Sequence, residues 1–510
     1  MKKTFLLIIC MMIVLGLLPI CAVFAREGDS GYEGGISSGE APGKTSFEYQ
    51  EVCFISGEPI VLKGSLVIKK QQKQDTITST YTYSLKNTDK AATLTRVLSF
   101  TTALVKKYNG QTIEETSYTK PASENLKIGG TAYLLKSNDF TRSSLVDSKP
   151  AINYYAGNIW GKKVYQIGST ANGGTVTVES TGNFYGYDQY WGTAEVEVLN
   201  YTIESETNKN GKLDKWGGTA RVTLSSSTTN QLKFYKNQPS EISFDGGYVQ
   251  SQYNDSILEY TSKLPEFDSK AISTYNIISK SDRLEIETFP VQKRLPVVDL
   301  NSIRGHWAEN DIKLMYSLEV FKGDGQNIKP DQFITRAEFA YAIVQAAKEV
   351  PPDPALTSKL IRTTLARGTK KTIIVSPFND VSVENMYFSQ IDSACKRGLL
   401  VGKGKNLFEP NNGISVADAV TVFIRALGLE TLAPTPQAVT NFRDNDLIPA
   451  HARNAVYVAE KIGLIQGDDK GYIKPRNLLT KADAANMLSK FISYIQDGIK
   501  KDYKERMVNY

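Results

Sequence analysis

The sequence predicts a multidomain chain in which an antiparallel all-β region is followed by an all-α bundle. Three observations predict it. Up to about residue 295, short runs rich in Thr, Ser, Tyr, Val and Ile alternate apolar with polar residues between Gly-bearing turns. Beyond residue 296 the apolar period lengthens to that of a helix. In this helical region a single pattern also recurs three times: a helical stretch, a Gly turn, a Pro-bearing loop, then Ser/Thr-x-Ala-Glu/Asp opening another helix.

In chain order, residues 1–25 have the make-up of a signal peptide. Lys2 and Lys3 precede an apolar run from Phe5 to Leu18, and Val23-Phe24-Ala25 forms a small-residue cleavage site, so the mature chain is expected to begin at Arg26. The run is short for a bilayer span and is broken by Pro19, and nothing later in the chain is long and apolar enough to span; no membrane contact is expected after cleavage. Residues 26–43, rich in Gly, Ser and Glu, read as a flexible leader.

Residues 44–295 supply the strands. Thr78 to Leu85, Thr175 to Glu179, Thr193 to Val198 and Thr219 to Leu224 alternate, with turn signals such as Asn109-Gly110, Gly129-Gly130 and Asp245-Gly246-Gly247 among them. Alternation predicts one wet face but leaves barrel, sandwich and open curved sheet equally allowed. The aromatic run Phe184-Tyr185-Gly186-Tyr187-Asp188-Gln189-Tyr190-Trp191 could stack on sugars if exposed on a hairpin, or pack across strands.

The helical region begins near Pro290–Pro296. Adding 80 to Pro330, Thr335 and Glu338 gives Pro410, Ser415 and Asp418; adding 145 gives Pro475, Thr480 and Asp483. Shifts of 79 and 144 carry Ile312, Met315 and Gly323 onto Ile391, Ala394 and Gly402, and onto Val456, Ala459 and Gly467. A unit this small cannot bury two helical stripes alone, so the three copies are expected to share one core. They occupy residues 296–348, 377–432 and 433–510, and a basic, Pro-rich insert at 349–376 separates the first two.

Thr335 with Glu338, Ser415 with Asp418 and Thr480 with Asp483 have the spacing of helix capping boxes. Arg336, in the first turn, meets the unfavourable end of the helix dipole. With free backbone N–H groups beside it, it would make an anion site. Lys481 repeats the charge; Val416 removes it. Trp307 opens the first helix of copy one, where a sugar platform and a core aromatic are both open readings, and His451 and Met386 stand at the matching positions.

On Gly305-His306-Trp307-Ala308, Gly323, Ile328-Lys329-Pro330 and Thr335-Arg336-Ala337-Glu338, echoed twice, residues 296–510 resemble three S-layer homology (SLH) repeats. The resemblance implies a pseudo-threefold helical bundle whose grooves bind an anionic, pyruvylated secondary cell-wall polysaccharide. It carries the binding roles onto Trp307, Gly323 and Arg336 and onto Gly402, Gly467 and Lys481; for the acidic residues Asp299, Asp380 and Asp444 near each copy's start, a part in binding and an N-cap or turn role are both open readings. The expectation is a secreted surface protein held non-covalently to the wall, its β region serving as a structural, adhesion or binding module, with self-association in a surface layer open.

Composition narrows the alternatives. Residues 26–295 are charge-neutral and 296–510 carry a net +4, too little for a nucleic-acid partner. Both histidines, His306 and His451, lie in the repeats, so the β region holds no Ser-His-Asp triad or His-ligated zinc; no catalytic residue, metal or cofactor is expected. Glu195 and Glu197, two apart on a strand face opposite Ala194, Val196 and Val198, form the pattern of a half-solvated strand; paired carboxylates of this kind keep open, as the alternative, a wall-anchored glycan-active enzyme. A carrier of an apolar ligand is the third reading. After signal removal Cys53 and Cys395 remain, two thiols in different predicted domains, which do not make a disulfide scaffold.

Overall fold

The structure is a computed structural model that describes residues 31–39, 45–107, 110–168, 173–209, 212–236, 246–298, 300–351, 375–435 and 438–508. The expected signal peptide, Asp299 and nearly all of the basic insert lie outside the described residues.

One antiparallel sheet of fifteen strands accounts for the β region. Its first five strands are β1 (Gly35–Ser37), β2 (Ser46–Cys53), β3 (Ile60–Lys73), β4 (Thr76–Asn87) and β5 (Ala92–Lys106). Then β6 (Gln111–Tyr118) and β7 (Ser123–Ile128) lie end to end between β5 and β8 (Thr131–Ser148). The meander continues through β9 (Ile152–Ile167), β10 (Thr175–Gln189), β11 (Gly192–Lys209), β12 (Lys212–Tyr235), β13 (Gly247–Phe267) and β14 (Ser273–Ile286). Finally β15 (Val291–Arg294) returns to β13.

The sheet curls until β1, at one end, lies against β12, β13 and β14 at the other. Rings meet across the hollow: Phe54 lies 5.7 Å from Tyr260 and 5.9 Å from Tyr201. Alternation along β4 and β5 explains the filling, because Tyr81, Tyr83, Leu85, Leu94, Leu98 and Phe100 all point to this concave side and are buried.

Residues 31–39 depart from the flexible-leader expectation. They run through the hollow, pair β1 with β2, and bury Ile36. Composition signals how much apolar surface a segment carries, whereas this one is held by a receptor built elsewhere in the chain.

Glu195 and Glu197 also differ from expectation. They lie on the packed face of β11 and are 6% and 4% exposed, while Ala194, Val196 and Val198 take the outer face. Period-two alternation separates two faces without saying which is packed.

The helical region contains α1 (Glu309–Ser317), α2 (Arg336–Ala347), α3 (Phe388–Lys396), α4 (Val416–Leu427), α5 (Arg453–Lys461) and α6 (Lys481–Ser493). A π turn (Tyr494–Gly498) leads into α7 (Ile499–Val508). Helices pair between copies: α1 packs on α6, α3 on α2 and α5 on α4. The second helices bury Phe339, Phe423 and Phe491 together, with the last two stacked at 4.9 Å.

The β and helical regions share a core. Tyr187 and Trp191 are fully buried among helical residues, so the aromatic run offers no exposed hairpin platform for a sugar. The tips of the β8–β9 and β10–β11 hairpins cap the carbonyl ends of α2 and α4 and reach the π turn that follows α6. The Trp191 Nε1–H donates to Ala346 O at 2.8 Å, Ala151 N–H to Ala426 O at 3.0 Å and the Tyr154 hydroxyl to Leu427 O at 2.9 Å. The Gln189 amide donates to Ile495 O. A helix leaves its last carbonyls without intrahelical partners, and here the sheet supplies the donors.

Candidate functional site

The opposite pole of the bundle gathers the helix starts. Thr335 accepts from Glu338 N–H at 3.2 Å, and Glu338 accepts from Thr335 N–H at 2.9 Å. Thr480 and Asp483 exchange the same two bonds, each at 3.1 Å. Ser415 accepts from Asp418 N–H at 3.2 Å, but Asp418 turns its carboxylate to Lys403 Nζ at 3.3 Å and His451 Nε2 at 2.9 Å.

The first-turn N–H groups are not free, which corrects the expectation of an open anion site. Arg336 N–H and Ala337 N–H donate to Asn412 O and Pro410 O at 2.8 and 3.0 Å. Val416 and Ala417 donate to Asn477 O and Pro475 O, both at 2.9 Å, while Lys481 and Ala482 donate to Gln332 O and Pro330 O at 2.8 and 2.9 Å. Each Pro-bearing loop thus feeds the helix start of another copy. The helix dipole is spent on carbonyls, and no N–H remains for a ligand there.

Arg336 itself is 3% exposed. Its Nε–H donates to Phe408 O at 2.9 Å and an Nη2–H to Val401 O at 3.0 Å, with the guanidinium 4.8 Å above the Phe408 ring. A planar fork tying two backbone carbonyls under an aromatic ring holds copy one to copy two. Asp380 and Asp444 clamp loops within their own copies: Asp380 accepts from Phe408 and Glu409 N–H at 2.9 and 2.7 Å, and Asp444 from Ile473 and Lys474 N–H at 3.1 and 2.7 Å. Asp299, their counterpart in sequence, lies outside the described residues.

The three aligned glycines are not alike. Gly323 has φ +98° with open space where a Cβ would stand, so backbone conformation alone requires it. At Gly402 and Gly467 φ is not positive; a Cβ would instead approach Leu407 O at 2.8 Å and Gly471 C at 2.9 Å. The residues that share the left-handed conformation by shifts of 79 and 144 are Glu319, Gly398 and Gly463, with φ of 57°, 74° and 72°.

What remains accessible is a cleft of about 80 Å³ lined by Tyr316, Phe321, Lys322, Ile334, Glu338, Tyr341, Tyr387 and Lys481, drawn from all three copies. Lys481 Nζ meets Glu338 Oε1 at 2.9 Å. Lys322 Nζ donates to Met386 O at 2.8 Å and lies 5.3 Å from the Tyr387 ring centre and 5.8 Å from that of Tyr341. Two ammonium groups against one carboxylate, with tyrosine rings and phenols, suit an anionic group on a polyhydroxylated ring. Trp307 is 62% exposed and is therefore not a core aromatic, and Met386 at the matching place is 60% exposed. Sequence reasoning missed Lys322, Tyr341 and Tyr387. Lys322 aligns with Val401 and Gln466, so the comparison of copies gave no signal for it.

Glu338 shows the electrostatics of the cleft. Its burial pushes the carboxyl pKa up, but the Thr335 N–H and the Lys481 ammonium outweigh this and hold it below the usual value. A depressed carboxyl stabilises the fold above its unfolded pKa, about 4.3, and that contribution is lost as pH falls through the lower folded value. Unfolding free energies from urea titrations should therefore fall more for the native chain than for Glu338→Gln between pH 6 and 3, by about 0.5–1 kcal/mol. Parallel curves would remove the tie from the stability of the cleft.

The S-layer homology domain family model matches residues 301–340 and 441–485. The chain carries S-layer homology sequence. It is 28% identical over 193 residues to the exoglucanase XynX of Acetivibrio thermocellus, covering 38% of this chain and 16% of that protein. It is 23% identical over 217 residues to a surface-layer 125 kDa protein of Lysinibacillus sphaericus, covering 42% of this chain and 16% of the relative. Cell surface glycoprotein 1 of Acetivibrio thermocellus is 32% identical over 154 residues, covering 30% of this chain and 6% of the relative. The chain therefore spans less than a fifth of each of these relatives. With the SLH segments they place it as a secreted, cell-wall-anchored surface protein.

Proposed function

We propose that residues 296–510 form three SLH repeats in a pseudo-threefold bundle that anchors the protein to an anionic, pyruvylated secondary cell-wall polysaccharide. The observation that carries this reading is the cycle of helix starts and loops: copy one takes its backbone acceptors from copy two, two from three, and three from one. Such a cycle puts inter-copy clefts on one pole, away from the carbonyl ends occupied by the sheet. The cleft holding Lys322 and Lys481 is the anion subsite, and Trp307 is a sugar platform; Arg336, Asp380 and Asp444 hold the loops in place and do not touch the polymer.

The β region is read as a non-enzymatic surface-layer module. The buried environment of Glu195 and Glu197 favours packing over glycan cleavage, since an acid pair needs access to its bond and a water.

Retention of the protein on purified wall, with and without its acidic ketal groups, tests the anchoring reading; equal retention on both would sink it. Lys322→Ala and Lys481→Ala should each weaken retention about tenfold or more, because a hydrogen bond to a charged group contributes about 1.5–3 kcal/mol. Loss in neither would move the site away from this cleft.

A further inference from the structure

Residues 31–39 are bound in the curved sheet as a peptide ligand is bound in a receptor. Tyr32 stacks on Phe140 at 5.6 Å, meets Phe100 edge-on at 5.4 Å and lies under the Arg142 guanidinium at 4.8 Å. Glu33 reaches Lys163 Nζ at 2.5 Å and Arg96 Nη1 at 3.3 Å. Ile36 is 3% exposed, and β1 lies antiparallel on β2 with Ile36 opposite Gln50.

Glycines set the fit between these anchors. A Cβ at Gly31 would stand 1.8 Å from the Tyr83 hydroxyl, at Gly34 2.2 Å from that of Tyr201, and at Gly35 2.2 Å from that of Tyr49. The receptor side of these contacts comes from β2, β4, β5, β8, β9 and β11, so it exists whichever chain donates the segment.

We infer that the hollow of the β region is a strand-acceptor site whose second occupant is residues 31–39 of another copy of this chain. The contacts made in cis and in trans are identical, so the two forms differ mainly in effective concentration. Crowding copies on a surface raises that concentration, a step that rests on the wall-anchored reading. The binding mode is strand addition: main-chain bonds to β2 give affinity, while the Tyr32, Glu33 and Ile36 pockets and the glycine spacing give specificity for this sequence.

The test uses the unaltered chain without wall polymer, so its failure leaves the anchoring proposal intact. Chains of natural isotope content and ¹⁵N-labelled chains are co-incubated at rising concentration. A carbodiimide then joins Glu33 to Lys163, and the linked peptides are weighed. Mixed-isotope pairs should appear and climb with concentration toward the statistical limit for equal mixing; only unmixed pairs at every concentration would overturn the proposal. As a second route, mixing Ile36→Cys chains with Gln50→Cys chains should give a disulfide-linked dimer above the level formed by either variant alone, since these positions face each other across β1 and β2. No dimer above that level argues equally against exchange.

Discussion

Trp191→Ala should lower the unfolding free energy by about 3–5 kcal/mol, the range for removing a buried large aromatic, and should uncouple the β and helical regions. Trp191 is fully buried at the end of the β10–β11 hairpin, edge-on to Tyr190 at 5.3 Å, and its indole N–H satisfies Ala346 O at the end of α2. Truncation opens a cavity and leaves that carbonyl without its partner. Trp191→Phe keeps much of the apolar volume but loses the donor, so it should cost about 1–3 kcal/mol and isolate the capping contribution.

The measurement is urea unfolding followed separately by near-ultraviolet signal and by helical circular dichroism. Coincident transitions in the native chain should split in Trp191→Ala, because the hairpin tips join the β hollow to the carbonyl pole. A single transition shifted by less than about 1 kcal/mol would mean the interface contributes little to holding the two regions together.

The opposite pole of the bundle shows where sequence reading reaches and where it stops. Repeat arithmetic located Thr335, Ser415 and Thr480 because capping is local: a hydroxyl and the N–H groups of the next turn lie within one short stretch. Arg336 was read as a ligand group because its position is locally unfavourable. Its actual acceptors, Phe408 O and Val401 O, lie about seventy residues away, and no spacing rule reports them.

Lys322 escaped because a repeat comparison selects what the copies share, and the cleft depends on what they do not share. Residues 31–39 escaped because composition judges a segment by its own apolar content, whereas its stability is supplied by Phe100, Phe140, Arg96 and Lys163. The sheet itself was legible as alternation and turns. Its closure was not, since curvature depends on how Tyr32, Phe54 and the facing rings fill the hollow.

That filling includes a charged cluster, and the second large effect is expected there. Arg96 donates to Glu51 at 2.8 Å and to Glu124 at 2.7 Å, and lies 3.3 Å from Glu33 at its closest; Lys163 contacts Glu33 and Glu124. Arg96 is 6% exposed. Arg96→Met should cost about 3–5 kcal/mol at neutral pH, because removing one partner of a buried pair leaves uncompensated carboxylates. Adding Glu51→Gln should recover much of that loss, and a double-mutant cycle would measure the coupling.

The pH dependence gives a sharper signature. In the native chain burial pushes the Glu124 carboxyl up, but Arg96 and then Lys163 overcome it and hold it at about 2. That group stabilises the fold above its unfolded value of about 4.3, and the contribution is lost as pH falls toward 2. Glu51 is shifted the other way, raised by burial despite Arg96.

Without the guanidinium the carboxyl pKa values in the hollow should rise. The folded state then binds protons more tightly than the unfolded chain, and stability should increase as pH falls from 7 to about 4.3. Arg96→Met should therefore regain stability across the window in which the native chain changes least. A variant whose stability ran parallel to that of the native chain would show that Lys163 alone balances the carboxylates.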